Sequence, residues 1–518
     1  MMGFIRFGFD SLAKSRAAKS WIVEGGIRTV KILLAASEVV PFAKTGGLAD
    51  VAGALPRALR TLGHDIRVIL PFYKAISPQK YPIQLLLNEM IVQFPGNWQV
   101  GSVSQTTFPN NDIPVYLVRH DHYFEREGLY GEKGEDYPDN AERFSFFCMA
   151  ALWTLKGINW QPDVIHCNDW QTALIPTYLR NLSILRNDPF YAAIRTVYTI
   201  HNLAYQGSFG SAVLPRIGLD NSVYHPEGLE FYGSVNLMKA GVVYSDALTT
   251  VSQQYSREIQ TPEFGCGLEG ILRVRAERLH GIMNGIDSSV WNPELDEHIA
   301  ARYSPSSLAG KAECKAALQK ANGLPQKPDV PLIGIISRLD KQKGFDLLEE
   351  CLDDIMRLDV QLVVLGTGDP AYHKLFEEAA KQYPDRLAIN LAFNNPLAHQ
   401  IEAGSDMFLM PSRFEPCGLN QLYSLKYGTI SIVRKVGGLA DSITDASAEA
   451  VRGGRATGFV FEKYDSAELL AAVKRAVKMY RTKPELWAKL VQNAMAQNFS
   501  WDNAARTYER VFQTVCEA

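Results

Sequence analysis

One short motif occurs twice in this chain of 518 residues, and its composition suits the binding of an anion or a sugar. Lys44-Thr-Gly-Gly-Leu-Ala-Asp50 returns as Lys435-Val-Gly-Gly-Leu-Ala-Asp441, and only the second position differs. Paired glycines let backbone N–H groups approach a ligand closely, and the helix predicted after each copy adds a favourable dipole. A single Gly-Gly pair would indicate a tight turn, whereas two copies beside lysine favour phosphate or sugar binding. The candidate residues are Lys44, Gly46, Gly47, Gly437 and Gly438.

Charged side chains also follow two apolar runs in the second half of the chain. Arg338 and Lys343 stand five positions apart after one run, and Glu415 follows another in Arg-Phe-Glu-Pro-Cys-Gly. Open α/β sheets bind ligands at the carboxyl ends of their strands. Two cations at such an edge could stabilise negative charge on a ligand, but a strand-end Arg and Lys considered alone are more often solvated charges. Glu415, in a turn fixed by Pro416 and Gly418, is the candidate carboxylate at this edge, and its position alone is equally consistent with a helix-capping Glu.

The apolar pattern predicts the elements that position these residues. It begins with a strand in VKILLAASEV, a helix over Leu48–Leu62 and a strand in HDIRVILP, which together form a β-α-β unit. Later strands of the first half are predicted at Val115–Val118, Asp163–Cys167 and Thr196–Ile200. Those of the second half are predicted at Leu332–Ser337, Gln361–Gly366, Leu387–Leu391, Met407–Met410 and Ile430–Val433, with helices such as Leu347–Met356 and Leu397–Ala403 between them. We therefore expect two doubly wound α/β domains with a boundary near residue 285.

Composition narrows the classes of partner. The 53 Lys and Arg residues nearly balance 56 Asp and Glu, which leaves a net charge of -3 and argues against nucleic acid or a membrane as the main partner. No apolar run approaches the ~18–20 residues that cross a bilayer. The seven cysteines form no C-x-x-C pair, so we expect free thiols and a cytoplasmic location.

Residues 1–29 stand apart because basic residues outnumber acidic ones and aromatic residues are interleaved. One interpretation is a transit peptide or an interfacial helix. The other, which we favour, is a disordered or mis-assigned start ahead of the first domain.

Ordered motifs give the chain a resemblance to the bacterial glycogen synthases and plant starch synthases, from about residue 30 to the end. The motifs are KTGGLADV at 44–51, HCNDWQTAL at 166–174, TIHNLAYQG at 199–207, NLMKAG at 236–241, TTVSQQYSREI at 249–259, NGIDSSVWNP at 284–293, SRLDKQKG at 337–344 and PSRFEPCGLNQLYSLKYG at 411–428. Ala49 makes the chain look like a bacterial member. This family has the GT-B fold, in which two Rossmann-like domains face a cleft. It transfers glucose with retention of configuration from a nucleotide sugar, here expected to be ADP-glucose, to the 4-hydroxyl of an α-1,4-glucan.

The resemblance also implies site residues. Arg338 and Lys343 would hold the diphosphate, Glu415 and His201 would lie at the donor glucose, and Asp169 would complete the catalytic set. The substrate-binding residues implied are Lys44, Gly46, Gly47, Asn202, Asn236, Phe393, Cys417, Gly418, Leu419, Asn420, Gly437 and Gly438. Phe393 would stack on the adenine. Neither a metal nor another cofactor is implied, since cations of the protein neutralise the phosphates. Asn420 departs from the usual Thr, although its amide can still donate.

The resemblance divides the chain into four parts: the extension 1–29, an acceptor-side domain 30–285, a nucleotide-sugar domain 286–499 and a helix 500–518 that packs back on the first domain. The sequence argues against two alternatives and leaves two others open. A dehydrogenase should show G-x-G-x-x-G after its first strand, which is missing here. A phosphorylase needs pyridoxal phosphate and a longer chain. The others are UDP-glucose as donor and a catalytically silent glucan-binding relative.

Overall fold

The computed structural model describes residues 29–94 and 97–517. Our expectation for the N-terminal extension lies outside these residues, except at Thr29. Within the described ranges, no helix is both long enough and apolar enough to pass through a bilayer.

The strands in the described ranges are β1 Lys31–Ala35, β2 Asp65–Pro71, β3 Gln84–Phe94, β4 Asn97–Thr107, β5 Pro114–Arg119, β6 Gly131–Glu132, β7 Glu135–Asp136, β8 Val164–Asn168, β9 Arg195–Ile200, β10 Ser208–Gly210, β11 Glu230–Phe231, β12 Ser234–Asn236, β13 Ala247–Thr250, β14 Leu279–Gly281, β15 Leu332–Ile336, β16 Gln361–Leu365, β17 Leu387–Asn390, β18 Met407–Met410, β19 Ile430–Arg434 and β20 Gly458–Phe461. Each strand predicted from the sequence is present, and its ends lie within a residue or two of the expected ones except at the first strand, where β1 ends at Ala35 and not at Val39. Strands such as β1, β8 and β18 are buried on both faces, as parallel strands covered by helices require.

The α-helices in the same ranges are α1 Gly47–Thr61, α2 Asp121–Phe124, α3 Asn140–Gly157, α4 Leu174–Asn181, α5 Ser183–Arg186, α6 Pro189–Ala192, α7 Leu237–Tyr244, α8 Gln253–Glu258, α9 Glu269–Val274, α10 Ala309–Ala321, α11 Phe345–Met356, α12 Pro370–Gln382, α13 Asn395–Gly404, α14 Asn420–Tyr427, α15 Gly437–Ser442, α16 Ala448–Arg452, α17 Ser466–Thr482, α18 Pro484–Met495 and α19 Trp501–Glu517.

Two sheets organise the molecule, and both have a doubly wound order. The second sheet runs β17-β16-β15-β18-β19-β20, with all neighbours parallel. The first runs β14-β13-β9-β8-β1-β2-β5-β4-β3. In each sheet the chain starts in the middle, builds outwards and then crosses to the other side. The crossing leaves a switch point between β1 and β8 in the first sheet and between β15 and β18 in the second, where such sheets bind ligands. The predicted fold class is confirmed.

The edge of the first sheet was not predicted from the sequence. There β3 and β4 form an antiparallel hairpin that continues from β5. Its strands are half-exposed, and Ile91 and Val100, which lie opposite each other, point to solvent. Apolar residues therefore occur on both faces, and the alternation that identifies a surface strand is lost.

Each sheet has its own apolar core. The first core extends from Val30 to Ile282 and the second from Ile286 to Met495. The C-terminal helix α19 joins the first core, in which Tyr508 and Phe512 are fully buried. The chain thus crosses to the second domain near residue 285 and returns at Trp501.

Candidate active site

The switch point of the second sheet brings a cation and a carboxylate together. Lys343 follows β15 in a short 3-10 turn, and Glu415 follows β18. Lys343 Nζ lies 2.7 Å from Glu415 Oε2, and the Ser412 hydroxyl donates to the same oxygen at 2.9 Å. Only 5% of Glu415 is exposed, so its ion pair is shielded from water and stronger than a surface pair. The site therefore holds Glu415 in one orientation through two donors.

Arg338 connects this edge to the other domain. Its Nη1 donates to the hydroxyl of Tyr205 at 3.1 Å, and its guanidinium lies 3.4 Å from Asp340. Tyr205 belongs to the loop after β9 that begins with His201. More than half of the Arg338 side chain remains exposed, which leaves it able to contact a ligand in the cleft. Arg338 and the His201 loop therefore border one cleft.

The conformation of the turn after Glu415 is set by Gly418 and by a hydrogen bond from Asn420. Gly418 has φ +68°, and a Cβ there would also meet the Gln421 side chain. The Asn420 amide donates to Ile336 O at 2.5 Å, which ties the first residue of α14 to the end of β15. Asn420 at the usual Thr position thus has a partner within the protein.

Cys417 lies at the domain boundary, where its thiol is 3.5 Å from Met283 Sδ of the first domain. Burial raises the pKa of the Cys417 thiol to about 12, so it is protonated and weakly nucleophilic at neutral pH. In this setting Cys417 acts as a small packing group.

The carboxyl edge of the first sheet, beside its switch point, holds Asp169 after β8 and His201 after β9. Asp169 Oδ1 accepts the His201 backbone N–H at 2.7 Å, and His201 Nε2 lies 2.9 Å from Asn168 Oδ1. Burial lowers the pKa of His201 to about 3, so the imidazole is neutral and serves as a hydrogen-bond partner. Desolvation raises the pKa of Asp169 to about 7.

Backbone strain accompanies Asp169. Its φ of 55° and ψ of -179° lie in a region that costs an L-residue of order 1–3 kcal/mol. Two backbone hydrogen bonds, Asp169 N to Thr199 O and Thr172 N to Asp169 O, hold this conformation. Such strain concentrates at functional sites, which supports the prediction for Asp169.

Asn202 and Asn236 have structural partners. Asn202 Oδ1 accepts the Ala204 N–H at 3.1 Å. Asn236 is the N-cap of α7, since its Oδ1 accepts the Lys239 N–H at 2.8 Å. These bonds stabilise the loops beside His201, and direct binding of sugar by either residue stays a prediction.

The first glycine loop faces the second domain, but a glutamate of its own domain occupies its amides. Thr45 N and Gly46 N donate to Glu38, the Gly46 bond at 3.0 Å. A Cβ on Gly47 would lie 3.6 Å from Leu419 Cδ1 across the boundary. Lys44 pairs with Asp50 at 2.7 Å, and 44% of its side chain is exposed to solvent. Diphosphate binding by this loop stays a prediction.

The second glycine loop lies directly beneath the Glu415 turn. A Cβ on Gly437 would come within 2.0 Å of Glu415 O, and one on Gly438 within 1.8 Å of Cys417 O. The Gly437 amide donates to Glu258 of the first domain, and the Gly438 amide donates to Glu415 O at 3.1 Å. These glycines therefore have a packing role that was not predicted from the sequence, and their contact with substrate stays a prediction.

Phe393 lies just beyond the end of β17, at the same edge of the second sheet as Arg338 and Glu415. It is 84% exposed and precedes Asn394, the N-cap of α13. An exposed ring at this edge is open to stacking, and its contact with a base stays a prediction.

Four residues with a part in these contacts were not predicted from the sequence: Glu38, which binds the first glycine loop, and Tyr205, Glu258 and Asp441, which connect the two domains. Tyr205 and Glu258 occur in the motifs at 199–207 and 249–259, and this was the only sequence feature that could have identified them as functional. Their partners are 133 and 179 positions away, so no local pattern could identify the contacts.

Comparison with known proteins assigns the two halves separately. Residues 31–274 match the family model of the starch synthase catalytic domain, and residues 318–497 match that of glycosyl transferases group 1. The glycogen synthase of Anaeromyxobacter sp. (strain Fw109-5) is 48% identical over 487 residues, which cover 94% of this chain and 99% of that protein. The glycogen synthase of Desulforudis audaxviator (strain MP104C) is 48% identical over 502 residues, which cover 95% and 97%.

Solved structures agree with this assignment. The catalytic domain of starch synthase IV from Arabidopsis thaliana, bound to ADP and acarbose, superposes with a TM-score of 0.87 at 34% identity and covers 95% of this chain and 100% of that one. A sucrose-phosphate synthase from Thermosynechococcus elongatus superposes with a TM-score of 0.57 at 16% identity, over 93% and 98% of the two chains. This second likeness concerns the fold alone.

Proposed function

We propose that this chain, which belongs to the glycogen synthase family of glycosyltransferases, transfers glucose from ADP-glucose to the non-reducing 4-hydroxyl of an α-1,4-glucan and retains the anomeric configuration. One observation carries the proposal: the Arg338–Tyr205 hydrogen bond joins the edge of the second sheet to the His201 loop of the first domain. In the proposed complex, the cations and Glu415 of the second domain would face the His201–Asp169 pair of the first. A donor in this cleft would have its phosphates and its sugar contacted from opposite sides.

The proposed chemistry breaks the bond between C1 of glucose and the diphosphate oxygen. Arg338 and Lys343 would stabilise the charge that develops on the leaving phosphate. Lys343, now paired with Glu415, would be shared between that carboxylate and the phosphate. Glu415 would stabilise the positive charge on the sugar ring, and His201, held neutral by burial, would bind a glucose hydroxyl.

Retention is proposed to occur by attack on the same face from which the diphosphate leaves. The acceptor 4-hydroxyl oxygen bonds to C1, and its proton passes to the departing phosphate oxygen. A double displacement would need a separate nucleophilic carboxylate on the β face. Glu415 is already engaged by Lys343 and Ser412, which favours an electrostatic role for it.

ADP-glucose is the proposed donor for two reasons. The named relatives over nearly the whole chain are glycogen synthases of bacteria, and the solved starch synthase IV structure contains ADP. The alternative is UDP-glucose, because Asn394-Asn395-Pro396, beside Phe393, stands where the resemblance leads us to expect a more acidic, helix-favouring run. The thiols in the sequence favour a cytoplasmic location for the reaction.

A donor assay tests the proposal. Purified protein is incubated with glycogen and either ADP-glucose or UDP-glucose, and release of the nucleoside diphosphate is followed. We expect release with ADP-glucose and a much lower rate with UDP-glucose. Preference for UDP-glucose would replace the donor, and no release from either would refute the transferase proposal in favour of a silent glucan-binding relative.

A further inference from the structure

Two short helices from different domains face each other beside the proposed active site. The helix α8 of the first domain packs against α15 of the second. The α15 segment is the second copy of the repeated glycine motif, and α8 comes from the motif at 249–259, to which the proposed chemistry gives no role.

The carboxylate near the end of each helix accepts hydrogen bonds from the start of the other. Glu258, the last residue of α8, accepts the Gly437 N–H with both carboxylate oxygens at 3.0 Å. Asp441 of α15 accepts the Gln254 N–H and the Ser252 hydroxyl, both at 2.8 Å. The first amides of a helix have no partner within the helix, so each domain satisfies amides that the other leaves open.

This pair of helices is coupled to the Glu415 turn through the adjacent residues Gly437 and Gly438. The Gly437 N–H donates to Glu258 of the first domain. The N–H of the next residue, Gly438, donates to Glu415 O at 3.1 Å and to Pro416 O at 3.2 Å. A Cβ at either glycine would overlap the carbonyl of this turn, so the two backbones are in direct contact. A displacement of Gly437 would therefore move the backbone that carries Glu415.

The burial of Glu258 makes the contact costly to break. Glu258 is 7% exposed, and Gln254 Nε2 also donates to it at 3.1 Å. A buried carboxylate that loses its backbone donor has no water to replace that hydrogen bond, so the loss destabilises the folded protein. The first glycine motif has no equivalent contact across the domains within the described residues, since Glu38 of the same domain binds its amides and Asp50 pairs with Lys44.

We propose that Glu258 and Asp441 form a reciprocal latch between the domains and that Glu258 is a positioning residue, which fixes the Glu415 turn when the cleft is closed. The latch gives the second copy of the repeated motif a use of its own, support of the Glu415 turn, whereas diphosphate binding is the prediction for the first copy. The effect on turnover rests on the proposed function, whereas the effect on domain closure does not.

Turnover of four variants tests the positioning role. Glu258→Ala and Asp441→Ala remove the acceptors, and Glu258→Gln and Asp441→Asn keep an acceptor oxygen in the same place. We expect both Ala variants to lower kcat about tenfold or more with little change in KM for glucan, because a displaced reacting group lowers the rate more than binding. The amide variants should recover kcat to within about threefold of the wild type, since a neutral acceptor keeps most of the bond.

Glu462→Ala is the matched control, because this exposed carboxylate pairs with Lys435 at the start of the same motif. It should leave kcat unchanged. Wild-type kcat in Glu258→Ala, or a loss that Glu258→Gln does not restore, would overturn the positioning role as stated.

Small-angle X-ray scattering tests the latch without turnover. We expect the double variant Glu258→Ala/Asp441→Ala to show a larger radius of gyration than the wild type and Glu462→Ala, with and without ADP. Identical scattering of the double variant and the wild type would overturn the latch. If the wild type transfers glucose from neither donor, the proposed function fails while the scattering result still decides whether the latch exists.

Discussion

The Lys343–Glu415 pair carries opposite charges on two loops that follow different strands. The pair is shielded, and Ser412 contributes a second donor to the same carboxylate oxygen. A carboxylate held in this way is preorganised, so it can stabilise charge in a transition state without first rearranging.

Glu415→Ala should therefore lower kcat by about 10²-fold or more, since removal of one preorganised electrostatic group has an effect of that size. The fold should persist, because the change leaves both cores intact. Glu378→Ala, which removes an exposed carboxylate on α12, should behave as the wild type. Diphosphate release and the circular dichroism spectrum provide the two measurements, and near-normal turnover would exclude Glu415 from the chemistry.

The burial of His201 predicts that the free energy of unfolding depends on pH. Its pKa is about 3 in the folded protein and near 6.5 without burial. Below pH 6.5 the unfolded chain takes up a proton that the folded protein does not, so this residue makes stability fall as the pH falls towards 3. Between these values the loss should approach about 1.4 kcal/mol per pH unit.

His201→Gln removes this proton uptake. The unfolding free energy of the variant, measured in urea between pH 6.5 and 5, should decline less steeply than that of the wild type. Parallel curves for the two proteins would show that His201 is not held neutral.

At the scale of elements, the second glycine loop determines how closely α15 approaches the Glu415 turn. Gly438→Ala would place a Cβ 1.8 Å from Cys417 O, and backbone atoms cannot move aside as a flexible side chain can. We expect a loss of about 1–3 kcal/mol in unfolding free energy and a fall of about 10²-fold in kcat from the shifted turn.

Gly270→Ala provides the comparison for this substitution. Gly270 lies in α9 and is exposed, and a Cβ placed there would meet no atom within 4 Å. The change should be neutral or stabilising by about 0.5–1 kcal/mol, because alanine favours a helix. Equal effects of the two substitutions on unfolding and kcat would contradict the packing role of Gly438.

At the scale of the whole molecule, the end of the chain completes the core of its beginning. The helix α19 packs against α1, and Glu509 lies 3.1 Å from the His64 ring. The chain therefore crosses the domain boundary twice, once before and once after residues 286–495, which form the second core. This double crossing limits how far the domains can move and favours a hinge motion near residues 285 and 500.

Phe512→Ala should destabilise the first domain although the residue lies near the C-terminus. Phe512 is fully buried in the first core, and truncation of a buried Phe costs about 3–5 kcal/mol. Thr514→Ala, on the exposed side of α19, should change stability by less than about 0.5 kcal/mol. Chemical unfolding measures both, and equal midpoints for Phe512→Ala and the wild type would show that α19 contributes little to this core.

The sequence by itself determined the two doubly wound domains and the edges on which chemistry would occur. Apolar runs separated by helices specify parallel strands, and parallel strands place their following loops at one edge. Arg338 and Glu415 could therefore be assigned to one side of one sheet from their positions alone. Their roles came from the motifs, because spacing does not distinguish a diphosphate-binding arginine from a solvated one.

Only the tertiary structure decided how the domains meet. The contacts Tyr205–Arg338, Glu258–Gly437 and Ser252–Asp441 join residues 133, 179 and 189 positions apart. Local periodicity carries no information about such pairs, since they depend on how two finished cores pack. For the same reason the two glycine motifs, nearly identical in sequence, have different partners: a glutamate of the same domain in one and of the opposite domain in the other.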